Sequence, residues 1–147
     1  MTYAVIIPAH NEAKYISKTL ESLCLQSILP IQVVVVNDNS TDDTLKIVSD
    51  FIQKYPWTSV INHASNQQHQ PGSKVINAFL FGFKHLTQPY DVIIKLDADL
   101  ILPENYFQTI LEKFESDKTI GMVGGFAYIE KNGNWILENL TDKEHIR

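Results

Sequence analysis

The run IQVVVVN, residues 31–37, decides the fold of this chain. It is almost entirely apolar and β-branched, which is typical of a strand that is buried on both faces in a parallel sheet. The segment STDDT, residues 40–44, follows it and predicts the start of a helix, because hydroxyl side chains cap helices and acidic side chains suit the helix N-terminus. We assign Asp42 and Asp43 mainly to this capping.

Short apolar runs and amphipathic stretches alternate on both sides of this strand. Further strands are predicted at residues 2–8, 57–62 and 90–97, and Asn-Gly at 132–133 predicts a β-hairpin. Apolar residues recur at helical spacing between the strands; they are Ala13, Ile16, Leu20 and Leu23, then Leu45, Val48 and Ile52, then Ile76, Phe79, Phe83 and Leu86. A fourth helix is predicted to begin at Pro103 and to run from 104 to about 115.

Alternation of strands and helices predicts an α/β protein. We expect a three-layer α/β/α sandwich with a mostly parallel central sheet, right-handed crossovers and a C-terminal β-hairpin. No linker or low-complexity segment divides the chain, so we expect one domain over residues 1–147.

The composition of the chain limits the kinds of partner that it can bind. The chain has 147 residues, 44% of them hydrophobic and 20% charged, and a net charge of -5, which argues against a nucleic-acid partner. Met1 leads directly into the first strand and no apolar run is long enough to span a bilayer, so we expect no signal peptide. Cys24 is the one cysteine, which excludes an internal disulfide and favours a reducing compartment. We expect a cytoplasmic protein, with peripheral association at the inner face of the membrane as an alternative.

A polar cluster follows each of the first four predicted strands. The clusters are PAHNE, NDNSTDD, HASNQQHQPGSK and DADL. If the strands are parallel, these clusters meet at one edge of the sheet, where α/β proteins bind their ligands. Asp97 and Asp99 repel each other unless a cation or open water takes up their charge. Alone they indicate a solvated turn, but within a polar crevice they suit Mg²⁺ or Mn²⁺ and a phosphate-bearing ligand.

Other site classes are absent from the sequence. No histidine and cysteine cluster has zinc spacing, and we interpret His63 and His69 as surface residues. The first strand is not followed by GxGxxG, and no GxxxxGKS/T segment occurs, which excludes an ordinary dinucleotide-binding or P-loop protein.

Four segments together resemble the inverting family 2 glycosyltransferases. They are VIIPAHNEAKYISKTLESLCLQS, VVVVNDNSTDDTLKIV, PGSKVINAF and IIKLDADLILPENY, in order between about residues 4 and 106. The resemblance implies the glycosyltransferase A fold, a nucleotide-sugar donor and a divalent metal ion. It implies that the nucleotide pocket is lined by Pro8, Ala9, His10 and Glu12.

The resemblance also implies roles for four charged residues. Asp38 would accept hydrogen bonds from the base, most naturally from N3–H of uracil, and Lys74 would reach the base or the phosphates. Asp97 would face the ribose and the metal, and Asp99 would coordinate the metal that holds the diphosphate. Plainer interpretations stay open: Asp38 as a turn cap and Lys74 as a solvated helix-start lysine, together with Glu12 as a helix-start carboxylate.

Two departures from the family pattern limit what the resemblance implies. Leu80 stands where many relatives have an asparagine, which puts that helix's donor contact in doubt. No aspartate matches the general base, which we expect beyond Arg147, because Glu138, Asp142 and Glu144 look like a solvated tail. We therefore expect the donor-binding half of a longer enzyme, or a shortened relative.

Three functions remain after this reading. The first is metal-dependent, inverting transfer of a sugar from a nucleotide-diphosphate donor to a glycan, lipid-linked or other hydroxyl acceptor. Asp38 favours uracil over guanine, so we expect a UDP-linked donor. The alternatives are a non-catalytic nucleotide-sugar-binding module and a nucleotidyltransferase. Apolar residues around Trp135, Ile136 and Leu137 could also support a homo-oligomer.

Overall fold

The computed structural model describes residues 1–64 and 73–138. These residues form two compact units. The first comprises residues 1–107 and contains a sheet with its covering helices, and the second begins at Gln108 and contains a hairpin. Among the described residues, no helix combines the length and apolar character needed to cross a bilayer.

Four parallel strands form the sheet of the first unit. Their order across the sheet is β3-β2-β1-β4. The strands are β1 (Tyr3–Ala9), β2 (Gln32–Asp38), β3 (Thr58–His63) and β4 (Val92–Lys95), and the helices between them are α1 (Ile16–Cys24), α2 (Thr44–Ile52) and α3 (Ser73–Phe83). The predicted α/β fold with a parallel sheet is thereby confirmed.

The central strands β1 and β2 of the sheet are buried, whereas the outer strands β3 and β4 are mostly half-buried. Ile6, Val34 and Val36 form a core cluster with Ala78 of α3. Helices α1 and α2 contact each other, and α2 also contacts β2 and β3. The chain runs outward from β1 to β3 and then returns to β4. Parallel strands are joined by right-handed crossovers as a rule, and with this strand order the rule puts α1 and α2 on the face opposite α3.

Helix α3 packs closely against the sheet through small residues, which its apolar spacing does not predict. Its buried residues are Ala78 and Gly82, whereas Ile76 and Phe83, which were expected in the core, are 57% and 44% exposed. A Cβ atom on Gly82 would lie 2.7 Å from Cγ2 of Ile6 and 2.8 Å from Cγ2 of Val36. Small residues therefore face the sheet, Phe79 and Leu86 of the predicted apolar face pack against the core, and only Ile76 and Phe83 of that face are turned towards solvent.

The fourth helix, α4 (Tyr106–Ser116), begins later than predicted. The backbone N–H of Tyr106 donates to the carbonyl of Pro103 at 3.0 Å, so residues 103–105 form a turn before the helix. The buried Gln26 side chain holds this turn, because its amide donates to the carbonyl of Pro103 at 2.8 Å and its oxygen accepts from the N–H of Phe107 at 3.2 Å. Pro103 therefore precedes the helix rather than starting it.

The second unit contains the predicted hairpin. Strands β5 (Tyr128–Lys131) and β6 (Asn134–Leu137) pair antiparallel around Asn132 and Gly133, whose φ angles are 52° and 76°. Two successive positive φ angles define the type I′ turn that an Asn-Gly pair favours. The hairpin prediction is therefore confirmed.

Replacing Gly82 with alanine tests the close approach of α3 to the sheet. Overpacking a core costs about 1–3 kcal/mol, whereas alanine gains about 1 kcal/mol over glycine in a helix. We expect Gly82→Ala to lower the free energy of unfolding by about 1 kcal/mol in urea denaturation. Asn77→Ala, at an exposed position of α3, is the control for helix propensity. Equal or greater stability of Gly82→Ala would contradict the packing described.

Candidate functional site

The loops that follow β1 and β2 are joined by the side chain of Asn11. Its Oδ1 accepts from the backbone N–H of Thr41 at 2.8 Å and from the Thr41 hydroxyl at 3.3 Å. The backbone N–H of Asn11 donates to the hydroxyl of Ser40 at 3.1 Å. Asn11 has φ 57°, in the left-handed region that asparagine tolerates better than most residues. Asn11 therefore both accepts hydrogen bonds from the loop after β2 and donates one to it.

A second set of hydrogen bonds runs from the first loop to the start of α2. The N–H groups of Glu12 and Ala13 donate to Oγ1 of Thr44 at 2.8 Å and to Oδ2 of Asp42 at 3.0 Å. Asp42 also accepts from the N–H of Thr44 at 3.0 Å and from its hydroxyl. These hydrogen bonds, first of all that from the Thr44 hydroxyl, lower the pKa of Asp42.

Capping of α2 differs from the prediction in its residues. Asp42 accepts from the first N–H of the helix, while the side chain of Asp43, the residue directly before the helix, makes no capping hydrogen bond. Ser40 and Thr41, the predicted hydroxyl caps, hydrogen bond with Asn11 in the neighbouring loop. The acidic and hydroxyl residues after β2 therefore stabilise the junction between loops as well as the helix start.

The joined loops bring His10 against the end of β2. Nδ1 of His10 lies 2.6 Å from the backbone oxygen of Asp38 and must donate to it, because a carbonyl only accepts. Asp38 is 6% exposed, and Oδ1 of its carboxylate lies 3.2 Å from Nδ1 of His63 at the end of β3. His63, expected at the surface, is instead largely enclosed, and His69 lies outside the described residues.

A cavity of about 380 Å³ opens at this edge of the sheet. It is lined by Pro8, His10, Glu12, Asp38, Lys74, Val75, Ala78, Lys95, Asp97, Ala98 and Asp99. Every residue that the resemblance assigned to the site lines this cavity except Ala9. Ala9 is 3% exposed and pairs with Asn37 within the sheet. Alternate side chains of a strand point to opposite faces, so Pro8 reaches the cavity while Ala9 points away from it.

Lys95 is a lining residue that the sequence analysis missed. Its Nζ lies 2.5 Å from Oδ1 of Asp97. The two residues are two positions apart at the end of β4, and side chains at that spacing share a face of an extended chain. This spacing was the available signal. Lys74, on the first turn of α3, adds a second ammonium group to the cavity wall.

Negative charge dominates the rest of the cavity. Partial burial raises the pKa of Glu12, and the neighbouring carboxylates of Asp99, Asp42 and Asp97 raise it further, while His10 lowers it. The carboxylates therefore share one electrostatic environment, in which ionising Glu12 is unfavourable. A bound cation would relieve this repulsion.

The donor set fits Mg²⁺ or Mn²⁺ shared with a phosphate ligand. Within residues 1–64 and 73–138, no group of three or more histidine, cysteine, aspartate or glutamate side chains is placed to hold a metal ion by itself. Mg²⁺ in phosphate sites takes one or two protein carboxylates and completes its shell with phosphate oxygens and water. Asp97 and Asp99, with Glu12 nearby, provide such an incomplete set.

Comparison with known proteins identifies the family. The family model described as glycosyl transferase family 2 matches residues 4–145. The chain belongs to glycosyl transferase family 2. A family relative, the glycosyltransferase MG025 of Mycoplasma genitalium, is 32% identical over 92% of this chain and 43% of its own length. The chondroitin synthase of Escherichia coli is 29% identical over 90% of this chain and 18% of its own length.

Solved structures of glycosyltransferases share the fold. The mannosyltransferase PcManGT of Pyrobaculum calidifontis, in complex with GDP-Man and Mn²⁺, superimposes with a TM-score of 0.65 at 25% identity, over 81% of this chain and 33% of that chain. S. aureus TarS in complex with UDP-GlcNAc gives a TM-score of 0.61 at 26% identity, over 79% of this chain and 32% of that chain. This chain therefore spans less than half the length of these relatives.

Substitution of Asn11 tests the junction between the two loops. Asn11→Gly keeps access to positive φ but removes the acceptor for Thr41, and we expect it to lower the free energy of unfolding by about 0.5–1.5 kcal/mol, because these hydrogen bonds are exposed and water can replace the acceptor. Asn11→Ala adds the strain of the left-handed conformation, about 1 kcal/mol more. Chemical denaturation measures both. Asn39→Gly is the matched control, because Asn39 also has positive φ, at 54°. A neutral Asn11→Gly would show that the junction contributes nothing to stability.

Substitution of Glu12 tests the shared charge of the cavity. Because the folded-state pKa of Glu12 is raised, its protonated form favours folding below the ordinary value of 4.5, and this contribution is lost as pH rises through the folded-state value. Without metal, Glu12→Gln should therefore melt close to wild type at pH 4 and above it at pH 7. Thermal melts in EDTA measure this, with exposed Glu21→Gln as control. A difference that is constant with pH would contradict the repulsion.

Proposed function

We propose that this chain forms the donor-binding part of an inverting, metal-dependent glycosyltransferase that transfers a sugar from a UDP-linked donor to an acceptor hydroxyl. One observation carries the proposal: in a family 2 chain, a single cavity wall presents Asp38 at one end and Asp97 and Asp99 with Lys95 at the other. That is the distribution of polar groups needed to bind a base and a diphosphate together.

The diphosphate end of the donor is assigned to the residues after β4. Asp97 and Asp99 would hold Mn²⁺ or Mg²⁺ together with phosphate oxygens. When bound, the ion supplies positive charge that stabilises the departing nucleoside diphosphate. Lys74 and Lys95 line the same cavity, and their ammonium groups can donate charge-assisted hydrogen bonds to phosphate oxygens. The contact of Lys95 with Asp97 keeps that ammonium group at the cavity wall.

The base end of the donor is assigned to Asp38. A carboxylate accepts hydrogen bonds, so it recognises a base that presents a ring N–H, which uracil does at N3 and guanine at N1. Similarity to TarS, solved with UDP-GlcNAc and with UDP, supports uracil. PcManGT, solved with GDP-Man and Mn²⁺, supports the metal and makes guanine the competing base.

The acceptor and the general base complete the proposal. Inversion requires a group that removes the proton of the acceptor hydroxyl as it attacks the anomeric carbon. Glu12, Asp38, Asp97 and Asp99 are assigned to the donor side of the cavity, so we propose none of them as this base. Relatives named as chondroitin synthase and as a minor teichoic acid biosynthesis protein support a glycan or similar polymer as acceptor.

Nucleotide binding tests the proposal directly. We expect calorimetry to show binding of UDP in Mn²⁺ that is stronger than binding of GDP, CDP or ADP and that is lost in EDTA. Asp99→Asn should weaken Mn²⁺-dependent UDP binding at least about tenfold, because even indirect partners of metal ligands contribute 10–100-fold. Asp50→Asn, an exposed aspartate on α2, is the matched control.

Each outcome of that titration has a distinct meaning. UDP binding that is equal in Mn²⁺ and EDTA, and equal in Asp99→Asn, would contradict the metal assignment while leaving a nucleotide site. Stronger binding of GDP than UDP would replace uracil by guanine. No binding of any nucleotide to the folded chain would overturn the proposed donor site.

A further inference from the structure

His63 is placed beside Asp38 by the register of the sheet. Strands β2 and β3 are parallel, and Asp38 and His63 are partners in their last register position. Nδ1 of His63 lies 3.2 Å from Oδ1 of Asp38, and the two side chains are 18% and 8% exposed. Neighbouring side chains that are held this far from solvent have few alternative positions.

The ring of His63 is also supported from α3. Its centroid lies 4.7 Å from that of Phe81, at an interplanar angle of 42°. Phe81 in turn lies 4.8 Å from the ring of His85, and Nδ1 of His85 donates to the carbonyl of Phe81 at 2.8 Å. The imidazole is therefore confined between its own strand and an aromatic side chain of the helix that covers the sheet.

This geometry determines which atom donates. An aspartate carboxylate is an acceptor at neutral pH, so Nδ1 of His63 must carry the proton in this contact. The hydrogen bond restrains Oδ1 of Asp38 and so limits rotation of the carboxylate. Asp38 also lines the cavity, and its backbone oxygen is held by His10, so both ends of the residue are constrained.

We propose that His63 is a positioning residue that gives Asp38 its selectivity between bases. This rests on the proposed function. A carboxylate restrained in this way accepts from the ring N–H of uracil or guanine, whereas cytosine and adenine present a ring acceptor at that position and would face it lone pair to lone pair. Sites built to hydrogen bond a donor reject analogues that lack it far more strongly than sites that merely enclose them.

Base preference, measured in variants of His63, tests the proposal. We expect wild type to prefer UDP over CDP in Mn²⁺. His63→Phe keeps a ring against Phe81 but loses the donor, and the CDP-to-UDP ratio of dissociation constants should fall about tenfold, the size expected for losing one charge-assisted hydrogen bond. His63→Asn carries an amide N–H at the same branch of the side chain and should retain most of the preference. If wild type prefers GDP, the same ratio is taken between GDP and ADP.

The controls separate selectivity from folding. His85→Phe, which changes the other histidine against Phe81 but does not face Asp38, should leave the ratio unchanged. If His63→Phe does not fold, His63→Gln replaces it, because its amide extends towards the Nε2 position and should also lose the preference. A folded His63→Phe or His63→Gln that keeps the wild-type ratio overturns the inference while the donor site stands. Absence of nucleotide binding by wild type overturns the proposed function and this inference with it.

Discussion

The hydrogen bonds of Asn11 are the constraint on which the rest of the candidate site depends. Strands β1 and β2 stop pairing at their carboxyl ends, and the backbone groups beyond that point still need partners. Asn11 supplies an acceptor to the N–H of Thr41 and receives support from Ser40. Because both loops are fixed by side chains rather than by further strand pairing, the chain turns sharply and His10 is carried against Asp38.

The stabilised loops explain how a chain can gather so many carboxylates. The junction between the two loops places Glu12, and the end of β4 places Asp97 and Asp99. Burial raises the pKa of Glu12, and the resulting repulsion raises it further. Lys95 pairs with one of these acids, Asp97, at the cavity wall. The cavity is thus formed at an electrostatic cost that a cation and a diphosphate would balance together.

Sequence patterns correctly predicted the elements whose structure depends on a single segment of the chain. The β-branched run at β2 and the Asn-Gly turn predicted their structures correctly, because local propensity and burial agree there. The predicted apolar face of α3 was right for Phe79 and Leu86 and wrong for Ile76 and Phe83, because the close approach at Gly82 leaves no room for large side chains against the sheet. The enclosure of His63 depends on a partner 25 positions away, which no local pattern contains. The position of Ala9 outside the cavity was predictable from the sequence, because side chains alternate along a strand and Ala9 therefore points to the face opposite Pro8.

Strand order determines how the polar groups are arranged along the candidate site. The order β3-β2-β1-β4 places His63 and Asp38 on one side, the loop after β1 in the middle, and Asp97 with Asp99 on the other. Neighbouring strands are about 4.8 Å apart, so the ends of β2 and β4 are separated by about 10 Å. Under the proposed function, a nucleoside diphosphate lies across β1 with its base towards β2 and its phosphates towards β4. Base selectivity would then follow from the pairing of β2 with β3, and metal binding from β4, so that each could change without the other.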